Sequence, residues 1–379
     1  MKDVEVINKQ LSKTLKKQEN SVQNSLNTRI IDSLKSIQGT EYNLISYHFQ
    51  LRSLLDQMGF QDAKIHPHEL PVKDFELAHF PYKLWTDGRD LYLMAPSNDD
   101  VSSEYYSYPI QVFAINDIPV KDLLPYFLAI RSLEGNQESA GIRYFNENST
   151  LIAREFFNEA DTFKIKMRGQ TLSEIPQNRV YPKGYKISPD QYLAVKTHSQ
   201  GSVDLFDLNL IKKGAYARIS SFADFDIAAI ESMVKKLNES NKKSLIIDLR
   251  GLKCDEYEQA LQLSSQFNKH HFNGRIFMIV DGSTYSGAAL FSFKMRTQND
   301  AIIAGEETGS ISNTLNKKNR STIKLPASAV IIEFPTEEMN NEFNGTLAPD
   351  LSYRHSARSI SEQKDKVLES VIQHIKLNP

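Results

Sequence analysis

Between residues 214 and 305 the chain alternates short apolar runs with amphipathic stretches, and this rhythm limits the fold more than any other feature. "GAYARISSF", "KSLIIDLRG", "RIFMIVDGST" and "AIIAGEETG" read as strands. "IAAIESMVKKLNES", "YEQALQLSSQF" and "SGAALFSFKMR", which lie between them, read as helices. Strands alternating with crossover helices specify a parallel sheet covered on both faces. "LIIDL" and "IFMIV" have the unbroken apolar character of strands buried on both sides. The fold class is α/β.

The rest of the chain has a different texture. Residues 1–75 are rich in Lys, Asn, Gln and Ser, with apolar positions at helical spacing in "LNTRIIDSLKSI" and "YNLISYHFQLRSLLDQM", and form an N-terminal helical region. Residues 76–200 form a β-rich middle region. "FPYKLWTDG" and "DLYLMAP" flank an Asp87-Gly88 hairpin, and "YPIQVFAINDIPVKDLL" reads as strand, tight turn at Asn116-Asp117 and helix. Residues 201–379 are the α/β core, closed by the helix "EQKDKVLESVIQHIK".

Bulk properties narrow the function. A net charge of −2 gives no electrostatic reason to expect nucleic acid as partner. A single cysteine, Cys254, excludes an internal disulfide and a cysteine metal cluster. Nowhere do 18 apolar residues run together, so no segment is expected to span a bilayer. The first residues lack an apolar signal-peptide core, so no signal peptide is expected here and the compartment stays open; the oligomeric state is not read from the sequence.

Ligands of an α/β core sit at the carboxyl ends of its parallel strands. Three segments reach that edge: Arg250 to Asp255, Asp281 to Ser286, and Gly305 to Ser310. Ser286 lies where strand gives way to helix and is followed by Gly287, Ala288 and Ala289, which let a helix start against a neighbouring backbone. A helix N-terminus favours an alkoxide or oxyanion. The alternative is that Ser283, Thr284 or Ser286 caps the helix. The G-x-S-x-G elbow, the phosphate loop and H-E-x-x-H are all absent. His66 and His68, two apart in "HPHEL", point the same way on an extended chain and could give two metal ligands or one base. No third ligand is identifiable and no cofactor is implied.

Taken together, these segments resemble the tail-specific (C-terminal-processing) serine peptidases, from about Leu44 to the C-terminus. The resemblance rests on "GAYARISSF", "LIIDLRG", "DGSTYSGAALF", "AIIAGEETG", "IKLPAS", "LAPDL" and "KDKVLESVIQHI", together with "FPYKLWTDGRDLYLM" and "VFAINDIPVKDLL" upstream. It implies a Clp-protease/crotonase-like core and hydrolysis of peptide or protein tails by an activated serine at Ser286. Gly251, Gly287, Glu306 and Thr308 fall at the binding positions. "VFAINDIPVKDLL" falls on a PDZ-like segment, complete or a remnant. Family members are usually exported.

Other family positions carry different residues here. The histidine base falls on Asp62 in "GFQDAKIHP", and a lysine base would fall among Ser310, Ile311 and Ser312. Lys294 is two helical turns past Ser286, about 12 Å along the axis. The paired oxyanion glycines are replaced by Lys253, Cys254 or Asp255, and the acidic partner falls on Phe343, beside Glu342. Three readings follow: a peptidase whose base is His66 or His68, a pseudopeptidase that binds peptide without cleaving it, or a hydrolase of another ester or amide.

Overall fold

The computed structural model describes Val6 and residues 51–52, 55, 64–66, 80–94, 109–129, 138–157, 160, 162–174, 189–200, 202–222, 227–254, 257–309, 320–326, 330–335 and 345–378. Of residues 1–75, Val6, Leu51, Arg52 and Leu55 are described as helical, while Lys64–His66 form a strand rather than a helix.

The middle region is built on antiparallel pairing. Strands β2 (Leu84–Thr86) and β3 (Leu91–Leu93) form the hairpin around Asp87-Gly88. Strand β4 (Ile110–Ile115) turns through Asn116 and Asp117, both at positive φ (48° and 63°), into β5 (Ile118–Pro119). Two consecutive positive φ values are what a two-residue hairpin turn needs, and Asn and Asp supply them at little cost. Strands β6 (Phe163–Met167) and β7 (Gln170–Glu174) complete the six-stranded sheet. Helices α1 (Val120–Ala129) and α2 (Glu138–Phe156) pack on it through Leu123, Phe127, Phe145 and Ile152.

The core sheet runs β18-β15-β13-β11-β10-β9-β8. Its strands are β8 (Leu193–Gln200), β9 (Val203–Leu208), β10 (Gly214–Ile219), β11 (Ser244–Asp248), β13 (Arg275–Val280), β15 (Ile302–Gly305) and β18 (Leu351–Ser352). Strands β10, β11, β13, β15 and β18 are parallel, as the alternating pattern requires. Strands β8 and β9 add an antiparallel edge, so the sheet is mixed rather than wholly parallel. The short β9-to-β10 connection explains this: it holds no crossover helix to bring the chain back in the same direction.

The pleat sorts side chains between two cores. Ala215, Ala217, Leu245 and Ile247 face helices α3 (Ile227–Glu239), α4 (Tyr257–His270) and α5 (Gly287–Asn299). Tyr216 and Ile246 point the other way, towards the closing helix α7 (Lys366–Leu377), which buries Val367, Leu368, Val371, Ile372 and Ile375. A short helix, α6 (Ala357–Ser361), precedes α7. Strands β16 (Arg320–Lys324) and β17 (Ile331–Pro335) pair with β1 (Lys64–His66) in a separate three-stranded sheet. No helix among the described residues is long and apolar enough to cross a membrane.

The end of β15 has no room for a side chain. Gly305 has φ +113°, and a Cβ there would lie 2.3 Å from the Val280 carbonyl oxygen on β13. Gly169, in the β6–β7 turn, has φ +77° but open space around it. Gly305→Ala therefore carries both a backbone and a steric penalty, about 2–4 kcal/mol, against about 1 kcal/mol for Gly169→Ala. Urea denaturation of both variants measures the difference; equal losses would mean that the β13–β15 contact is looser than described.

Candidate active site

Ser286 closes β14 (Tyr285–Ser286), a two-residue strand paired in parallel with β12 (Lys253–Cys254), with Cys254 opposite Ser286. Where the resembled family has oxyanion glycines, this chain therefore runs as strand. Ser286 immediately precedes α5, yet its side chain makes no capping hydrogen bond, and its backbone sits at φ 66°, ψ −126°. An ordinary capping residue is extended and accepts from the helix's first N–H groups. Ser356 and Asp365, both at negative φ, cap in this way elsewhere in this chain, accepting from Ser359 N (3.1 Å) and Leu368 N (3.0 Å). The capping alternative thus fails for Ser286. A non-glycine residue in such a conformation costs on the order of 1–3 kcal/mol and persists only where its surroundings enforce it.

Those surroundings are visible. Tyr285 N donates to Leu252 O (3.4 Å), Gly309 N to Thr284 O (2.9 Å), and Thr284 N to Asp281 O (2.8 Å). Ser286 is wholly buried, and its Oγ donates to the Tyr257 hydroxyl at the start of α4 (3.2 Å). Gly287, Ala288 and Ala289 are buried behind it.

Beside this turn, at the carboxyl ends of β10, β11, β13 and β15, lies a crevice of about 390 Å³. Its polar wall is set by two ion-pair systems, one buried around Arg250 and one half-buried at Arg143. Arg250 donates to Asp248 (2.5 Å) and to Asp365 (2.6 and 2.9 Å), and the Tyr216 hydroxyl donates to Asp248 (2.7 Å). Arg143, from α2, donates to Asp281 (2.6 Å), whose other oxygen accepts from Gly251 N (3.1 Å). Burial would raise Asp248, but the Arg250 guanidinium and the surrounding hydrogen bonds hold it below the usual carboxylate range. Burial pushes Glu306 up, against the pull of Arg143. His355 is lowered to about 4, chiefly by burial and further by Arg250. Arginine can only donate, so the Arg250–His355 Nε2 contact (3.5 Å) puts the imidazole proton on Nδ1, a buried atom with no partner among the described residues.

The residues singled out from sequence divide accordingly. Gly251 and Glu306 line the crevice, whereas Ser286 is wholly buried with its Oγ against Tyr257 and is not among the lining residues. Gly287 is the first residue of α5. Thr308 is buried and accepts from Leu347 N (2.9 Å), a contact that fixes the loop after β15. His66 ends β1 opposite Ile331, while His68, Glu342, Asp62, Asp255 and the Ser310–Ser312 segment lie outside the described residues. Among the described residues no cluster of His, Cys, Asp and Glu is arranged to hold a metal. Tyr257, Arg143 and His355 carried no signal in sequence, because each acquires its role from a partner far along the chain.

Neutral His355 makes stability pH-dependent. Its folded pKa of about 4 lies below the ordinary 6.5, so between these values the unfolded chain binds more protons. Its contribution is fully present above the ordinary value and is lost as pH falls towards the folded one, by up to about 3 kcal/mol. Urea midpoints measured down this window should decline less steeply for His355→Gln; identical slopes would place the titration elsewhere.

No protein-family model matches the chain, and no curated protein matches it. Solved structures do. Mature CPAF complexed with lactacystin superposes with a TM-score of 0.56 at 13% identity over 92% of each chain. Mature CPAF alone gives 0.53 at 13% identity, covering 92% of this chain and 90% of that one. A photosystem II D1 C-terminal processing protease also matches, with a TM-score of 0.28 at 11% identity over 84% of this chain and 86% of that one. At such identities the likeness is one of fold, and the fold is the one CPAF has.

Proposed function

We propose that the chain is a peptidase-like protein that binds peptide or protein tails in the crevice at the strand ends and attacks them with Ser286. The observation that carries this reading is the backbone of Ser286, at φ 66°, ψ −126° in a strand-to-helix turn. Strain of this kind has no benefit for a structural serine, which would relax to negative φ and cap the helix. It suits a nucleophile, because it sets the residue at the N-terminus of a helix whose first N–H groups can stabilise a developing oxyanion. In the step proposed, Oγ adds to a peptide carbonyl and loses its proton to a base. The amine then leaves with a proton, and water releases the acyl group. His66 and His68 are the candidates for that base, and Glu342 for its acidic partner.

A second reading has its own support. Ser286 Oγ is wholly buried and its hydrogen-bond partner is a phenol, not an imidazole or an amine. A serine lacking its base retains roughly 10³–10⁴-fold catalysis over water, from the oxyanion hole and binding alone. On this second reading the crevice holds peptide without cleaving it.

A fluorophosphonate probe separates the two. The first reading expects one phosphonyl group per chain, on the tryptic peptide containing Ser286, and none in Ser286→Ala. An unlabelled but folded wild-type protein would leave the peptide-binding reading standing, and labelling that survives Ser286→Ala would remove Ser286 from either.

A further inference from the structure

We propose that Arg143 and Asp281 are the positioning pair that holds the Ser286 turn and the Gly251 loop in a single fixed geometry, with Arg143 acting from the middle region. This rests on the reading of Ser286 as nucleophile. Asp281 follows β13 and is almost wholly buried. Its Oδ1 accepts from Gly251 N (3.1 Å) in the loop after β11 and from Ser283 N (3.0 Å) in the turn leading to Ser286. Thr284 Oγ1 lies 3.1 Å from the same oxygen, accepts from Asp281 N and reaches Leu249 O (3.0 Å). One carboxylate oxygen therefore ties together the two loops that would have to meet across a reacting carbonyl.

The second oxygen belongs to Arg143 Nη2 at 2.6 Å. Arg143 stands on α2 between Ser139 and Glu147, at four-residue spacing, so all three share one face of the helix. Each touches the turn. A Cβ on Gly282 would meet Ser139 O at 2.5 Å, and Ser283 Oγ donates to Glu147 Oε1 (3.2 Å). The other side of α2 is anchored in the middle region's core through Phe145 and Ile152. The arrangement is a three-point seat for residues 281–283, and its charged centre is the Arg143–Asp281 pair. A neutral acceptor at 281 would suffice for the backbone N–H groups. The negative charge is what draws Arg143 in and fixes the carboxylate's rotation, and the Asp281 charge in turn raises the Arg143 pKa.

The test uses the full chain with Asp281→Asn, Arg143→Gln, Arg143→Lys and the Asp281→Asn/Arg143→Gln double variant. Arg296→Gln, which removes the half-exposed Arg296–Asp350 pair, is the control. Fluorophosphonate labelling is followed against probe concentration, and amide hydrogen exchange is read for residues 249–254 and 281–287. Losing a charge-assisted hydrogen bond should slow bond formation about ten- to hundredfold with little change in probe binding. Arg143→Lys should recover part of the rate by keeping the charge. The double variant should lose less than the product of the two single losses, because both remove one interaction. Exchange in both segments should accelerate together in either single variant, and Arg296→Gln should change neither measurement. Should Arg143→Gln not fold, Asp281→Asn and Arg143→Lys carry the comparison. Wild-type labelling rates in both single variants, or exchange that changes in one segment only, would overturn the proposal. If the wild-type chain takes no label, the nucleophile reading fails separately, and the coupled or uncoupled exchange of the two segments still decides for or against the pair.

Discussion

Arg250 is the interaction around which the strand ends are organised. A guanidinium this deep is stable only when its donors are matched, and here Asp248 and Asp365 match them from opposite directions. Asp248 ends β11, whereas Asp365 caps α7 through Leu368 N, so one cation fixes the closing helix against the central sheet. Burial, and after it the same cation, hold His355 in its neutral form. Removing Arg250 would strand two buried carboxylates; removing the whole triad would cost far less, which makes it a device for alignment more than for stability. The crevice is polar because this alignment occurs at its wall.

Beyond that wall, the strained Ser286 backbone is the feature that links fold to chemistry. Two strands of two residues each, a glycine-to-threonine contact and the Asp281 network hold it where an unconstrained serine would not stay. Helix α2 lends the middle region a direct part in this, so the six-stranded and seven-stranded sheets are joined at the turn that would have to do the work. Burial of Oγ against Tyr257 means that the resting turn is shielded, and a substrate would need to displace or exploit that contact.

Much of the fold was legible in sequence because its signals are local. "LIIDL" and "IFMIV" could hardly be anything but doubly buried strands, and Asn116-Asp117 announces a turn needing positive φ. The antiparallel edge was not legible: "VDLFDL" alternates like many surface segments, and its direction follows from a connection too short for a helix. The site was legible only in part. Ser286, Gly251 and Glu306 stand at strand ends, where position alone points to them. Tyr257 meets Ser286 across 29 residues, His355 meets Arg250 across 105, and Arg143 meets Asp281 across 138. No spacing rule reaches so far, and only packing brings these groups together. The difference between a capping and a strained serine is likewise a matter of backbone torsion, on which "TYSGA" is silent.

The central claim is that Ser286 is held ready as a nucleophile before any substrate arrives. A crystal structure of the protein treated with a fluorophosphonate tests it most directly. The account predicts a covalent bond from Ser286 Oγ to phosphorus, with the Ser286 φ still near its resting +66° and the phosphonyl oxygen at the N-terminus of α5. An unmodified serine with negative φ, its hydroxyl accepting from the first N–H groups of that helix, would contradict it.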